Sequence, residues 1–302
     1  MRQWQEKAAI ILSGIPKKFD IPMAELTTFK IGGPLDLLVE PREVPELEMV
    51  INFCAAEKIP WMVLGLGSNL LVRDKGIRGV GIKLSGEFNR WEAEEGKVTA
   101  GAGMALADLA KATACLGLTG LEFACGIPGT VGGGVYMNAG AYEGEIAQVL
   151  AGVQAFDQEK GVVWYGKADL PAGYRYSRFQ ENRQIIIKAL FQLKTVEKET
   201  AVAKIAELTC KRESKQPLEM PSAGSVFRRP AGFYVGPLIE EAGLKGFTLG
   251  GAQVSPKHAG FIVNAGNATA QDVLSLISHI QRVIKEKNGV DLTPEIRVVG
   301  EE

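Results

Sequence analysis

Residues 122–142, EFACGIPGTVGGGVYMNAGAY, constrain the fold more than any other stretch, because seven of these twenty-one positions are glycine or proline set among apolar residues. Gly126, Gly129, Gly132, Gly133 and Gly134 have no Cβ, so this backbone can approach another group closely and take angles closed to other residues. Consecutive N–H groups in a glycine turn, or at the start of a helix, cradle negative charge. Two readings stand at this point: a phosphate cradle, or a tight turn between core elements.

A second loop bears on that choice. Trp61-Met62-Val63-Leu64 reads as a short buried strand opening into Gly65-Leu66-Gly67-Ser68-Asn69-Leu70-Leu71-Val72, a small-residue loop with a hydroxyl and an amide. A strand feeding such a loop suits a diphosphate. The dinucleotide fingerprint G-x-G-x-x-G is not met, since Leu70 stands where its third glycine would be and no helical pattern follows. Neither loop ends in the Gly-Lys-Ser/Thr of a nucleoside-triphosphate site. The expectation is that two loops far apart in the chain converge on one long ligand.

The chain has 302 residues, 46% of them hydrophobic and 23% charged, enough for a large core and more than one domain. A net charge of −1 with scattered Lys and Arg argues against a nucleic-acid or anionic-membrane surface, so an anionic ligand needs a focused site. Cys54, Cys115, Cys125 and Cys210 form no CxxC pair, and His258 and His279 are the only histidines, so no metal is expected. The first sixteen residues hold an apolar run too short and too charged for a signal peptide, and no later run has membrane-spanning length. A cytoplasmic protein with reduced thiols is expected.

Apolar periodicity predicts helices at 3–13, 43–58, 104–117, 197–213, 235–243 and 270–287. It predicts strands at 35–39, 61–64, 79–84, 97–101, 148–156, 161–165, 185–193, 249–254, 260–263 and 295–299. Pro217 and Pro221 mark a boundary. The working division is into three α+β units, 1–85, 86–195 and 196–302.

Three polar residues stand in unusual settings: Arg175 between Tyr174 and Tyr176, Ser225 after Gly224, and Glu295 after Pro294. Each also has an ordinary reading, as a surface arginine shielding rings, a turn serine and a solvated strand-end carboxylate. No histidine lies near Ser225 and no G-x-S-x-G surrounds it, so a hydrolase nucleophile is unsupported.

Taken in order, Thr27-Thr28-Phe29-Lys30-Ile31-Gly32-Gly33, Gly65–Val72, Gly126–Tyr142, Tyr174-Arg175-Tyr176-Ser177, Gly224-Ser225-Val226-Phe227 and Thr293-Pro294-Glu295 resemble the bacterial UDP-N-acetylenolpyruvoylglucosamine reductases over about residues 20–300. The resemblance implies an α+β fold: a two-subdomain FAD-binding domain of the vanillyl-alcohol-oxidase (PCMH) type, 1–85 and 86–195, and a C-terminal α+β substrate-binding domain, 196–302. It implies non-covalent FAD, NADPH as co-substrate, and the reduction of UDP-N-acetylenolpyruvoylglucosamine to UDP-N-acetylmuramate in peptidoglycan precursor synthesis. Its partners would be those small molecules, with no nucleic acid and no membrane insertion.

By the same resemblance the cofactor would meet Gly65, Leu66, Gly67, Ser68, Asn69 and Leu70, then Gly126, Ile127, Pro128, Gly129, Thr130, Gly132 and Gly133, and also Asn138, Ala139, Gly140, Ala141 and Ile187. Arg175, Ser225 and Glu295 would be catalytic: hydride reaching the enolpyruvyl β-carbon pushes charge toward the substrate carboxylate, which Arg175 and Glu295 stabilise while Ser225 protonates the α-carbon. Tyr174, Lys215, Gly224, Arg228, His258 and Asn264 would contact substrate. Only nine residues separate Ser177 from Ile187, which matches the shorter branch of the family, without an inserted tyrosine loop. Arg229 stands where longer-branch relatives tend to have asparagine. A flavin oxidase on the same cofactor fold, and a catalytically silent binder of UDP-sugars or nucleotides, remain as alternatives.

Overall fold

The structure, a computed structural model, describes residues 2–302. The chain forms two compact units, one built from the segment ending at Lys18 with Leu38–Gly65 and Val80–Arg212, the other from Phe19–Leu37, Leu66–Gly79 and Glu213–Glu302.

The first unit is organised on a five-stranded antiparallel sheet in the order Gly161–Gly166, Leu150–Asp157, Ile185–Gln192, Lys97–Gly101, Trp91–Glu94. Its central strand reads IIIKALFQ, with Ile185, Ile186, Ile187, Ala189 and Phe191 all buried. Such a β-branched run suits a strand covered on both faces. Helix Leu106–Cys115 buries Leu106, Leu109, Ala110 and Thr113, the one-face spacing of an amphipathic helix. Trp61–Val63 pairs in parallel with Val80, Gly81 and Ile82.

The glycine-rich segment departs from the sequence expectation of a loop. It contains a short helix, Val131–Tyr136, whose N-cap Thr130 accepts the Gly133 N–H through its hydroxyl at 3.1 Å. Three glycines in six residues give no intrinsic helix preference, so no local pattern announces this helix. Close packing explains it: a Cβ on Gly132 would lie 2.9 Å from that of Ala102, and one on Gly134 would lie 2.9 Å from Leu106 Cδ2.

The second unit carries a four-stranded sheet in the order Ser222–Ser225, Phe261–Asn264, Ala252–Val254, Thr248–Leu249. Helix Ala270–Asn288 buries Val273, Leu276, Ile277, Ile280 and Ile284 in a core that includes Phe29, Leu71, Phe227, Leu238 and Ile262. Thr269 and Asp272 form a capping box at its start, and Gly289 at φ +69° ends it in the left-handed conformation. Asp74 accepts the N–H groups of Ala270 at 2.8 Å and Gln271 at 3.1 Å, tying segment 66–79 to this helix. Strand Leu70–Val72, read from sequence as part of a loop, pairs in parallel with Arg297–Val299. The last strand thus starts two residues later than expected, and Glu295 precedes it.

Among the described residues, no helix is long and apolar enough to cross a membrane. None of their His, Cys, Asp and Glu side chains form a group of three or more that could hold a metal ion.

Candidate active site

The first loop has the electrostatics of an anion site. Among the described residues, the backbone N–H groups of Gly65, Leu66, Gly67, Ser68 and Asn69 reach no acceptor. Gly67 is buried and sits at φ +64°. A left-handed residue inside such a run turns successive N–H groups to one side, the geometry of an anion-binding nest. The loop is held from behind: a Cβ on Gly67 would lie 2.9 Å from Thr27 Cα, and Arg297 donates its N–H to Asn69 O at 2.9 Å just before the strand from Leu70 begins.

The second segment spends its N–H groups differently. Ile127, Gly129, Val131, Gly132 and Gly134 donate to the carbonyls of Ala124, Ile127, Met104, Ala102 and Thr130, and Pro128 has no N–H. Gly126 and Thr130 are the positions in 126–134 whose N–H finds no acceptor among the described residues. Within the first unit, a Cβ on Gly65 would fall 2.9 Å from Thr130 Oγ1. Ile187 is buried and accepts the Ala102 N–H at 3.0 Å. Cys125, beside Gly126, turns its thiol toward Thr209 Oγ1 at 3.8 Å.

Arg175 is positioned by its turn. Gly173 pairs with Tyr176 across the two-residue turn Tyr174-Arg175, and Arg175 takes φ +55°, a conformation that costs a non-glycine residue about 1–2 kcal/mol. Its guanidinium lies 5.1 Å from the centre of the Tyr174 ring and donates to Gly140 O at 3.2 Å. Gln180 bonds the Arg175 carbonyl at 3.0 Å and that of Tyr136 at 2.8 Å, while the Ser177 hydroxyl donates to Tyr136 O at 2.7 Å. Asn138, buried and at φ +41°, donates to Gly173 O at 2.9 Å and accepts the Ala147 N–H at 2.9 Å. Ala139 donates to Gly134 O, and Gly140-Ala141 pairs with Gly144-Glu145. Segment 138–141 therefore forms the support of the arginine turn.

In the second unit Ser225 ends a strand that bulges between Ser222 and Ser225, with Gly224 at φ +82°. Val226 donates to Gly260 O and accepts the N–H of Glu295 at 2.7 Å; Arg228 donates to Thr293 O at 2.9 Å. This pairing carries Glu295 to the residue beside Ser225. Asn69 Nδ2 reaches Glu295 O at 3.4 Å, linking the nest to the same carboxylate-bearing residue. Ser225 Oγ is 3.5 Å from Gly260 O, a weak bond that leaves the hydroxyl free to turn.

The substrate candidates of this unit divide. His258 Nδ1 accepts the Gly260 N–H at 3.1 Å, so the neutral ring carries its proton on Nε2. Burial lowers its pKa below the ordinary histidine value, with Lys245 and Lys215 acting in the same direction. Lys215 and Arg228 are exposed, and Arg229 stacks on the Tyr234 ring at 3.9 Å. Asn264 spends its amide on structure, donating to Phe29 O and Lys30 O and accepting from Gly266 and Ala268.

The family model described as "UDP-N-acetylenolpyruvoylglucosamine reductase, C-terminal domain" matches residues 216–299, and that described as "FAD binding domain" matches residues 35–165. The chain is 50% identical over 285 residues to the UDP-N-acetylenolpyruvoylglucosamine reductase of Syntrophomonas wolfei, covering 94% of this chain and 95% of the relative. The chain belongs to the UDP-N-acetylenolpyruvoylglucosamine reductase family. It is also 49% identical over 280 residues to the reductase of Clostridium botulinum strain Eklund 17B, covering 93% and 92% of the two chains. The crystal structure of the Thermus caldophilus reductase superposes with a TM-score of 0.81 at 37% identity, covering 94% of this chain and 98% of that one.

Membership gives the fold its description, an FAD-binding region of the vanillyl-alcohol-oxidase type followed by the family's α+β C-terminal domain. The family's FAD also fits the residues present. Five successive unpaired N–H groups at 65–69 can receive an anion, and a dinucleotide's diphosphate supplies one. One half-buried charge, Arg212, has no counterpart among the sequence-derived candidates. Within Lys211-Arg212-Glu213-Ser214-Lys215 it reads as part of a solvated run, and only its place over Gly126 sets it apart.

Proposed function

We propose that this chain reduces UDP-N-acetylenolpyruvoylglucosamine to UDP-N-acetylmuramate in the cytoplasm, with FAD as bound cofactor and NADPH as reductant, in the synthesis of peptidoglycan precursors. Its family membership along nearly the whole chain supports the reaction class. The observation that carries the residue roles is the Val226–Glu295 backbone pairing, which sets Ser225 beside a carboxylate residue. On this reading 1–85 and 86–195 serve the cofactor and 196–302 the sugar nucleotide.

Bound FAD supplies hydride transfer from NADPH to the substrate's carbon–carbon double bond. The chain's residues handle charge and protons. Arg175 meets the substrate carboxylate, where charge gathers as the β-carbon is reduced; one preorganised donor of this kind is commonly worth about 3 kcal/mol of barrier. Ser225 holds the proton delivered to the α-carbon, a task open to a neutral hydroxyl because an enolate-like carbon is strongly basic. Glu295 acts with Arg175 as an orienting and hydrogen-bonding partner in stabilising that charge. Lys215 and Arg228 supply positive charge for the UDP diphosphate, and the Nε2–H of His258 is a further donor to substrate. Asn264 acts at one remove, through the loop it ties together. The unpaired N–H groups of 65–69 take the FAD diphosphate, and 126–133 serves the same cofactor.

The test is direct. The purified protein should be yellow, bleach with NADPH under nitrogen and recolour on addition of the enolpyruvyl sugar nucleotide. Rapid recolouring by air with no response to that substrate would make it an oxidase, and a colourless protein that takes up no FAD would make it a silent binder.

A further inference from the structure

Helix Lys198–Lys215 packs on the glycine-rich segment of the first unit with the face that carries Ile205, Leu208 and Thr209. Cys125 Sγ lies 4.0 Å from Ile205 O and 3.8 Å from Thr209 Oγ1, and the Tyr142 hydroxyl reaches Leu208 O at 3.5 Å. Arg212 stands on the same face one turn on. Its side chain crosses Gly126, where a Cβ would meet Cδ and fall 3.1 Å from Nε and 3.2 Å from Nη1. Gly126 is bare because a guanidinium lies over it.

That guanidinium has no counter-charge. It is half-buried, and no carboxylate pairs with it among the described residues. Burial lowers its pKa, and the ionisable groups acting on it are the Tyr142 hydroxyl and the Cys125 thiol, both neutral in their ordinary state. The Gly126 N–H beside it also lacks an acceptor among the described residues. Withdrawing a cation from water without a partner is unfavourable, so a donor cluster of this kind is built for an anion brought by a ligand.

We propose that Arg212 is a binding residue for FAD, meeting the negative charge of the dinucleotide at Gly126. The inference rests on the FAD reading above and adds a residue to it. The charge has two sources on one molecule: the diphosphate, which a guanidinium fork holds through paired hydrogen bonds, or the pyrimidine edge of the isoalloxazine, which becomes more negative on reduction and is tuned by nearby charge.

The test uses the full chain stripped of FAD, with Arg212→Met and Arg212→Lys, and measures FAD affinity by flavin fluorescence at two salt concentrations together with the midpoint potential of the bound flavin. A diphosphate role predicts at least tenfold weaker binding for the Met variant, a smaller salt dependence and partial recovery with Lys. A ring role predicts affinity within twofold of the parent and a lower potential in the Met variant, with Lys restoring it. If Arg212→Met does not fold, Arg212→Gln takes its place, since removing the charge must still change affinity or potential. A folded variant with affinity, salt dependence and potential all unchanged overturns the inference. A parent protein that takes up no FAD overturns the FAD reading itself, and the inference with it.

Discussion

Glu295 donates its backbone N–H to Val226 O at 2.7 Å, so backbone pairing holds it one residue from Ser225. The Arg228 bond to Thr293 O anchors that backbone further.

Ser225→Ala should therefore separate the two halves of the reaction. Its strand keeps its pairing with Phe261 and loses only a weak hydroxyl contact to Gly260 O at 3.5 Å. Flavin bleaching by NADPH should stay within about twofold of the parent, while reoxidation by the enolpyruvyl substrate should slow by roughly 10²–10⁴, the range for a missing general acid. Stopped-flow absorbance reads both, and equal losses in the two would make Ser225 a structural residue.

Arg175 pays for its position in backbone strain, standing at φ +55°. Asn tolerates that conformation and a β-branched residue does not. Arg175→Asn should keep its urea midpoint close to the parent's, within about 1 kcal/mol, while substrate reduction falls by about 10²–10³. Arg175→Val should lose activity and about 1–2 kcal/mol of stability as well. An Asn variant less stable than the Val variant would refute the strain account.

Gly67 tests the nest. At φ +64° with Thr27 Cα 2.9 Å from where a Cβ would be, the loop must shift to admit alanine, and the N–H groups of 65–69 turn with it. Gly67→Ala should weaken FAD binding at least tenfold, by analogy with losing a charge-assisted hydrogen bond of about 1.5–3 kcal/mol. Titration of the stripped protein with FAD measures it, and an unchanged affinity would move the diphosphate elsewhere.

Much of this was legible in the sequence. Long periodic elements such as Leu106–Cys115, Ile185–Gln192 and Ala270–Asn288 announce themselves because burial on one face forces their period. The short ones do not. Leu70–Val72 is a strand only because Arg297–Val299 lies beside it, and Val131–Tyr136 is a helix only because its glycines pack on Ala102 and Leu106. The same holds for the site. Gly65–Asn69 reads as a phosphate loop from composition and keeps its backbone N–H groups unpaired, whereas the 126–134 backbone spends most of its N–H groups on the protein. Asn138, a cofactor contact by the family resemblance, bonds Gly173 O and the Ala147 N–H through its amide, which only the folded chain reveals.

His258 gives stability a pH dependence whose sign follows from its surroundings. Burial, the largest cause, lowers its pKa in the folded state; its own backbone and Glu240 oppose this, and Lys245 and Lys215 act with burial. In the unfolded chain the ring titrates near its ordinary value of about 6.5. As pH falls, the unfolded state takes up the proton first, so the stability owed to the neutral ring is complete above that value and is lost as pH falls toward the folded pKa. Urea midpoints measured between about pH 8 and pH 5 should decline on the acid side, and His258→Gln should flatten that decline, because the amide can still accept the Gly260 N–H without a proton to gain. The exposed His279 remains in both proteins and cancels in the comparison. A variant whose acid-side decline is as steep as the parent's would show that folding does not lower the pKa of His258.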